Sequence, residues 1–516
     1  MDSTVTYIKD KAWYLKKLRL KKYYNSLEPV RTVVSSLGIP LKYSGYFAMI
    51  PSNFNLEAHL AQYPVTNYMF VQDNGGVIRS VPKYGESNPY LIFDPNRIIY
   101  ILGLISSIPA RNKDSITETG YVLINSRLIR NFFKDYLSYL DYLILTGVLV
   151  TDGQYIQGQK SKGYKFADRY ANAPLVRYNY PEFQQNNNSV TPFQEEIYDE
   201  KEGTFVNNPI IEFPYLSYWY STKGLHIDNA ALEYAYQVMM DKFRRGIQSW
   251  DINRDKSHNN FIVRKYPLTQ YHAALYNINS IAIGDYKVSI DRNIHRLHSA
   301  ITNLQKDYRK FLSYNGQKLV NIDISNSQPY LLCLLLNPSF WDKHSDIPLN
   351  IGMLSQNIQD MIQKEHLSEI YHHVLSLNSC HDTSLENYIQ TASQGEVYEY
   401  MQRIINRREN TNLTRDDIKT MILTTLFSRN RYMPIYKKYF EQNFPQIYSL
   451  IKLVKRENHK TLACLLQNIE SNIILYRCCY KIWNASNHQV PIFTIHDSIC
   501  TTMGNEKYVY NTYWRN

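Results

Sequence analysis

Two aspartates end or follow short β-rich segments that lie far apart in the sequence. Asp323 ends the segment Lys318–Asp323, and Asp497 follows the segment Pro491–His496. Two such carboxylates, if they meet, can hold two hard, oxygen-seeking Mg²⁺ ions. Ions about 4 Å apart activate an attacking 3′-hydroxyl and neutralise a leaving pyrophosphate. Either aspartate alone carries little weight, because aspartates at strand ends often cap turns.

Between these aspartates lies a segment with two cations and an aromatic residue at helical spacing. Arg415, Lys419 and Phe427 are separated by four and then eight positions, so on a helix they share roughly one face. That face suits a nucleoside triphosphate, with the cations on the phosphates and the ring on the base. A basic helix surface with a buried Phe is the alternative for this segment taken alone.

These three segments resemble motifs A, B and C of the family A nucleic-acid polymerases, which include bacterial DNA polymerase I and phage replicases. Asp323 opens a D-x-S sequence like that of motif A, and the Arg415 segment matches the R-x3-K-x7-aromatic pattern of motif B. His496-Asp497-Ser498 is similar to motif C, which has His-Asp followed by a small or acidic residue. The order along the chain is also that of the family.

Two further segments carry the resemblance. Arg296–Gln305 is similar to the R-L-x-S-x3-N-L-Q signature that precedes motif A in family A DNA polymerases. Leu466–Glu470 is similar to a helix ahead of motif C whose Gln contacts the minor groove. The resemblance covers residues 290–505 and implies an α+β right-hand polymerase, a nucleotidyltransferase that uses two Mg²⁺ ions, with Mn²⁺ as a substitute.

The resemblance also implies a role for each matching residue. Asp323 and Asp497 bind both metals, helped by the carbonyl of Ile324, while Lys419 and Arg415 contact the triphosphate. Phe427 stacks on the base, and Gln328 lies beside the sugar. The residues expected along the primer and its minor groove are Arg296, Asn303, Gln305, Gln467 and His496.

Several positions depart from the family pattern. Gln328 stands where the DNA polymerases keep a Glu that blocks a ribose 2′-hydroxyl, and its bulk favours deoxynucleotides. Ser498 is typical of the RNA polymerases instead, and Leu423 and Ser428 replace an aromatic residue and a Gly. We therefore expect a DNA polymerase, with a single-subunit RNA polymerase or primase-like enzyme as the alternative. A second alternative is a non-catalytic replication initiator that binds DNA.

The resemblance and the pattern of residue types along the chain together predict five regions. An N-terminal nucleic-acid-handling region contains a basic helix over Tyr7–Tyr24 and a winged-helix module over 113–170, built from a helical segment Asn125–Leu145 and a hairpin turning at Asp152-Gly153. No acidic set upstream of residue 290 is arranged like a proofreading exonuclease. The regions are 1–180 (N-terminal), 181–208 (linker), 209–295 (thumb-like), 296–345 with 470–516 (palm) and 346–469 (fingers).

Composition limits the class of protein. The 516 residues carry 57 Lys and Arg against 46 Asp and Glu, a net charge of +11 that suits a polyanionic partner such as DNA template-primer. Apolar residues at 44% exclude a largely disordered chain.

We find no transmembrane segment, signal-peptide core or CxxC pair, and expect a cytoplasmic protein of a bacterium or a virus-infected host cell. Further expected partners are dNTPs and replication accessory proteins. The composition, rich in Asn, Lys, Ile and Tyr, is typical of an A+T-rich genome such as that of a phage or mobile element.

Overall fold

A computed structural model of the chain provides the structure. The described residues form a mixed α/β protein with an antiparallel sheet, as the sequence predicts. The predicted helix Tyr7–Tyr24 and most of the predicted linker lie outside the described residues. The structure describes residues 46–68, 70–72, 78–80, 93–112, 115–117, 119–130, 132–133, 135–156, 160–171, 173–180, 198–199, 204–205, 212–244, 250–255, 261–265, 267–286, 288–291, 294–323, 326–379 and 383–514.

Upstream of residue 206 the chain alternates short strands and helices. The strands are β1 (Tyr46–Pro51), β2 (Phe70–Gln72), β3 (Ile78–Ser80), β4 (Val122–Leu123), β5 (Leu149–Thr151), β6 (Gly163–Phe166), β7 (Leu175–Tyr180), β8 (Tyr198–Asp199) and β9 (Thr204–Phe205). The helices are α1 (Leu56–Gln62), α2 (Pro95–Arg111), α3 (Ser126–Arg130), α4 (Tyr136–Leu145) and α5 (Asp168–Ala171).

Residues 212–323 lead into the central sheet. The helices are α6 (Pro214–Ser221), α7 (Ala230–Arg244), α8 (Pro267–Ala282) and α9 (Ala300–Asn303). The strands are β10 (Leu225–Ile227), β11 (Trp250–Asp255), β12 (Phe261–Lys265), β13 (Ser289–Ile290), β14 (Leu297–His298), β15 (Leu312–Tyr314) and β16 (Gln317–Asp323).

Residues 326–514 are mostly helical and end in a hairpin and a last helix. The helices are α10 (Ser327–Leu332), α11 (Pro338–Trp341), α12 (Gln356–Met361), α13 (Lys364–Ser379), α14 (Thr383–Ser393), α15 (Val397–Glu409), α16 (Arg415–Phe427), α17 (Ile435–Asn443), α18 (Pro445–Val454), α19 (Thr461–Ser471), α20 (Tyr480–Ala485) and α21 (Glu506–Trp514). The hairpin is formed by β17 (Phe493–Ile495) and β18 (Ser498–Thr502).

The central sheet has five antiparallel strands in the order β10-β15-β16-β18-β17. Asn315 and Gly316, both with positive φ, form the tight turn between β15 and β16, as expected for a two-residue hairpin loop. β10 lies upstream of the boundary predicted between residues 295 and 296, yet it belongs to the same sheet as β16. Three residues of β10 have no local pairing partner, and only the distant β15 makes them a strand.

Two hydrophobic cores divide the described residues. The first core runs from Phe47 to Tyr314 and resumes from Ile474 to Val509, so it joins the N-terminal elements to the central sheet. The second core lies within Leu331–Ile469 and is made by helices. It therefore begins earlier than residue 346, where the sequence predicts the start of the fingers, because the apolar run after Ser327 packs with the later helices.

The N-terminal module differs in detail from its prediction. The segment Asn125–Leu145 forms two helices, α3 and α4, and Asp135 lies at the start of α4. The hairpin does not turn at Asp152-Gly153, because the loop between β5 and β6 runs from 152 to 162. Asp152 instead closes this loop by accepting a hydrogen bond from the Gly163 amide at 2.8 Å. The strand order of the small sheet is β4-β6-β5.

Membrane insertion has no support among the helices that the structure describes. None of them combines the length and the apolar character needed to cross a bilayer.

Candidate active site

The two sequence-predicted aspartates lie at the same end of the central sheet. In the register of β16 and β18, Asp323 is directly opposite Ser498. Ile495 also pairs with Ser498, so His496 and Asp497 are the two turn residues of the β17–β18 hairpin. His496 has a left-handed backbone with φ of 56°. Strand pairing thus places the Asp497 turn next to the end of the strand that carries Asp323.

A contact from α10 ties this end of the sheet together. Ser327 donates a hydrogen bond to Asp497 Oδ2 at 3.0 Å. Ser327 comes four positions after Asp323, and Asn326 turns the chain between them with a left-handed φ of 52°. The sequence-predicted ligand Ile324 lies outside the described residues. One short segment therefore approaches both Asp323 and Asp497.

The donor set fits hard divalent cations. Asp323 is exposed, and neither it nor Asp497 forms an ion pair with another described residue. Carboxylate oxygens are the ligands that Mg²⁺ prefers, usually with several waters or substrate phosphates completing its octahedron. The described residues contain no group of three or more His, Cys, Asp or Glu that could form an all-protein cage. One exposed and one partly exposed carboxylate suit an ion that shares its ligands with a substrate.

A buried carboxylate that the sequence analysis assigned no role lies beside the pair. Glu470 is 1% exposed and accepts hydrogen bonds from Arg296 and, at 2.6 Å, from Gln328 Nε2. Burial raises the pKa of Glu470, Arg296 opposes this rise, and nearby Asp497 adds to it. In the sequence, the signal for Glu470 was that it is the single Glu of the apolar helix α19. A carboxylate that is buried in this way requires a partner.

Gln328 is oriented by this carboxylate. Glu470 can only accept when ionised, so it selects the amide nitrogen of Gln328 and leaves the amide oxygen facing elsewhere. Gln328 Oε1 is buried and has no hydrogen-bond partner among the described residues. A buried acceptor without a donor is costly, which makes it a place for a ligand hydroxyl or a water.

Cations surround the hairpin turn on the side of β14. His496 is exposed, yet partial desolvation and the nearby cations Arg296 and Arg309 lower its pKa, so its imidazole is neutral at pH 7. Arg309 also lies close enough to interact electrostatically with Asp323. Arg309 was missed in the sequence because it lies outside every recognisable motif. Two arginines thus lie on this side of the site, and one of them, Arg296, is already paired with Glu470.

Helix α16 carries the three residues of the triphosphate prediction. Thr414 and Asp417 form a capping box at its start, which fixes where the helix begins. Arg415 and Lys419 are exposed, and Phe427 is partly buried against the second core. All three predicted residues thus lie on α16, with the two cations exposed to solvent and the Phe427 ring turned partly into the second core.

Tyr398 connects α16 to the carboxylates. The guanidinium of Arg415 lies over the Tyr398 ring at 5.1 Å from its centroid and pairs with Glu399. Burial raises the pKa of Tyr398 to about 12, Arg415 opposes the rise, and Asp497 adds to it. Tyr398 thus lies within electrostatic range of both Arg415 and Asp497, so the beginning of α16 faces the same region as the β17–β18 turn.

The residues predicted along a minor groove lie on several elements near the central sheet. Asn303 ends α9, which packs against β17, and Gln305 follows it with a partly buried side chain. Gln467 is partly buried on α19, one turn before Glu470, and α19 packs against α10. Two members of the predicted set lie at the site itself: Arg296 pairs with Glu470, and His496 shares the hairpin turn with Asp497.

Comparison with known proteins gives little beyond this geometry. No protein-family model matches the chain, and no curated protein matches it in sequence. A solved structure, the POL domain of Pol1 from M. smegmatis in complex with DNA primer-template and dNTP, is similar with a TM-score of 0.27 and 10% identity over 58% of this chain. The match covers 65% of that chain. At this TM-score the likeness carries no structural argument.

Proposed function

We propose that the protein is a template-directed DNA polymerase that adds deoxynucleotides to a primer 3′-hydroxyl and releases pyrophosphate. The observation that carries the proposal is the register of β16 against β18, with Asp323 opposite Ser498 and Asp497 in the adjoining turn. An exposed carboxylate at a strand end and a partly exposed one in the adjoining turn, with arginines nearby, suit phosphoryl transfer between polyanionic substrates.

The residues around the site have distinct roles in this proposal. Asp323 and Asp497 would hold two Mg²⁺ ions, which supply charge neutralisation at the reacting phosphate and activation of the 3′-hydroxyl. Ser327 holds Asp497 in place through its hydrogen bond. Lys419 and Arg415 bind the triphosphate and stabilise the charge that develops on it. Phe427 provides a ring surface for the base.

The primer side of the site is assigned to the residues near the hairpin turn. Neutral His496 supports the primer end as a hydrogen-bonding group, and Arg309 contacts a backbone phosphate. Arg296, Asn303, Gln305 and Gln467 line the minor groove of the primer-template duplex. We further propose that the enzyme lacks a proofreading exonuclease, because no suitable acidic set is recognisable upstream of residue 290.

A primer-extension assay tests the proposal. With a labelled primer-template, dNTPs and Mg²⁺, the wild-type chain should extend the primer, whereas D323N and D497N should each reduce the rate by about 10³-fold or more, because each removes a charge from both metal positions. D360N is the matched control, since Asp360 is an exposed carboxylate on α12. Extension by D323N at the wild-type rate would reject the proposal and favour a non-catalytic, DNA-binding initiator.

An RNA-synthesising enzyme is the second candidate. The unpartnered Oε1 of Gln328 favours it, because this acceptor can receive a hydrogen bond from a ribose 2′-hydroxyl. The same assay distinguishes the candidates when rNTPs replace dNTPs and the primer is omitted. Synthesis from rNTPs without a primer would overturn the assignment to DNA synthesis and leave the two-carboxylate site intact.

A further inference from the structure

The region from α2 to β6 has the element order of a winged helix. Along the chain it runs α2, β4, α3, α4, β5 and β6, and its sheet has the order β4-β6-β5. The loop 152–162 between β5 and β6 occupies the position of the wing, and α4 that of the recognition helix. We propose that this module binds double-stranded nucleic acid through its wing and the arginines of α3, and not through α4.

One side of α4 is covered by the chain that precedes it. Tyr142 donates a hydrogen bond to the carbonyl of Tyr63 at 2.7 Å, and its ring meets those of Tyr68 and His59 edge-on at 5.5 and 5.6 Å. On another side, Tyr139 stacks on Phe93 and is fully buried. These contacts keep much of α4 out of reach of a groove.

The exposed remainder of α4 has the wrong chemistry for reading bases. Leu137 and Leu145 are 38% and 62% exposed, and the helix contains no Lys, Arg, Asn or Gln. Its one charged side chain is Asp141, which would repel phosphate. Helices that read the major groove use cationic and amide side chains on base edges. The position that normally confers sequence recognition is therefore unsuited to it here.

The described parts of the wing, 152–156 and 160–162, are tied together by hydrogen bonds and an ion pair. Asp152 Oδ1 accepts hydrogen bonds from the amides of Gly163 and Gln154 at 2.8 and 3.1 Å, and Oδ2 pairs with Lys160 at 3.2 Å. Ile156 and Lys160 exchange two backbone hydrogen bonds, of 3.0 and 2.8 Å, which close the loop near its tip. These contacts tie residues 152–156 to residues 160–163 before any ligand binds.

The surface of the wing combines a cation with two exposed hydrophobic side chains. Tyr155 is 61% and Ile156 is 51% exposed, and Lys162 is exposed at the base. The Ile124 amide donates to the Lys162 carbonyl at 3.1 Å, which brings the base of the wing next to α3. Helix α3 exposes two arginines, Arg127 and Arg130.

These features match a duplex backbone and its minor groove. Lys162, Arg127 and Arg130 are placed to neutralise phosphates, which gives sequence-independent, salt-dependent affinity. Ile156 is the type of side chain that enters a minor groove between cationic contacts, and the exposed Tyr155 precedes it on the wing. The nearest carboxylate of the wing, Asp152, is already occupied by Lys160 and two amides. The module is thus a non-specific duplex anchor.

Site-specific photo-crosslinking of the full chain tests this proposal. A photoreactive phenylalanine analogue replaces Tyr155, and the protein is irradiated with a blunt 30-base-pair duplex without nucleotides or Mg²⁺. We expect a protein–DNA crosslink whose yield falls steeply with salt, and we expect Lys162→Glu to lower it about tenfold, since a phosphate contact becomes a repulsion. The control Lys507→Glu, at an exposed lysine on α21, should leave it unchanged.

Two further positions decide between the wing and other surfaces. The same analogue at Leu145 on α4 and at Tyr510 on α21, both more than half exposed, should give no crosslink. A crosslink at Leu145 equal to that at Tyr155, or a Tyr155 crosslink insensitive to Lys162→Glu, would overturn the proposal. Because D323N and D497N should leave the Tyr155 crosslink unchanged, failure of the wing proposal and failure of the polymerase proposal are distinguishable.

Discussion

Single side chains set the chemistry of the candidate active site, and Glu470 constrains the others most. It is buried, it receives Arg296 and Gln328, and it lies close to Asp497. Breaking a buried, hydrogen-bonded ion pair is costly because a charge is left without a partner. Glu470 therefore fixes which amide atom of Gln328 is available to a substrate sugar.

The sugar preference should follow the acceptor and the bulk of Gln328 separately. Gln328→Met keeps the length of the side chain but removes the acceptor, so incorporation of rNTPs relative to dNTPs should fall about three- to tenfold, the value of one hydrogen bond. Gln328→Ala removes the bulk, so the same ratio should rise. Single-nucleotide incorporation with dNTP and rNTP measures both ratios.

A matched control uses the exposed Gln356 on α12, since Gln356→Met should leave the ratio unchanged. If both variants lowered the ratio, the role assigned to the bulk of Gln328 would be wrong; if both raised it, the role assigned to its acceptor would be wrong.

At the scale of elements, the end of α16 is held by two buried lysines. Lys455 donates to the carbonyls of Thr425 and Ser428 at 2.9 and 3.0 Å, and Lys437 donates to those of Arg429 and Tyr432 at 3.1 and 2.6 Å. Lys455 is 2% exposed, and Lys437 is fully buried. Cations at a helix C-terminus satisfy its last carbonyls and its dipole. This arrangement fixes the end of the helix that presents Phe427.

Burial of Lys455 should make the stability of the protein rise with pH. Desolvation and the neighbouring Lys437 lower the pKa of Lys455 from 10.5 to about 7. Between those values the unfolded chain holds a proton that the folded chain has lost, so the Lys455 contribution to the unfolding free energy rises by about 1.4 kcal/mol per pH unit. Below pH 7 both states are charged, and the full desolvation cost is present.

Denaturant unfolding of wild type and Lys455→Met from pH 6.5 to 9.5 measures this effect, because the difference in unfolding free energy removes the titration of other groups. The unfolding free energy of wild type should increase relative to that of Lys455→Met as the pH rises. Lys452→Met, at a half-exposed lysine, should show a nearly flat difference. A flat difference for Lys455→Met would contradict the predicted shift.

At the scale of the whole molecule, the two hydrophobic cores define two packing units. Phe440 is 1% exposed within the second core, so Phe440→Ala should cost about 3–5 kcal/mol. We expect faster amide hydrogen exchange throughout 331–469 and little change in 212–323. Ile99→Ala in the first core is the reciprocal control. Equal acceleration in both units by either variant would show that they unfold together.

The sequence predicts the strand ends and the composition of the site better than the elements that support them. Lys318–Asp323 and His496–Ser498 are short segments whose local pattern already indicates a strand and a turn. The three-residue strand β10 and the break between α3 and α4 depend on distant packing, since no Gly or Pro interrupts 125–145. The role of Glu470 could not be predicted from the sequence for the same reason, because its partners come from segments remote in the chain.

The meeting of Asp323 and Asp497 around shared metal ions is the central claim, and metal-directed cleavage tests it most directly. Fe²⁺ replaces Mg²⁺ in the presence of primer-template, and ascorbate with peroxide then generates radicals that cut the backbone next to the bound ion. We predict cuts near both residue 323 and residue 497, with both lost together in D323N and in D497N. Cuts at one segment alone, or cuts near 497 that persist in D323N, would contradict a shared site.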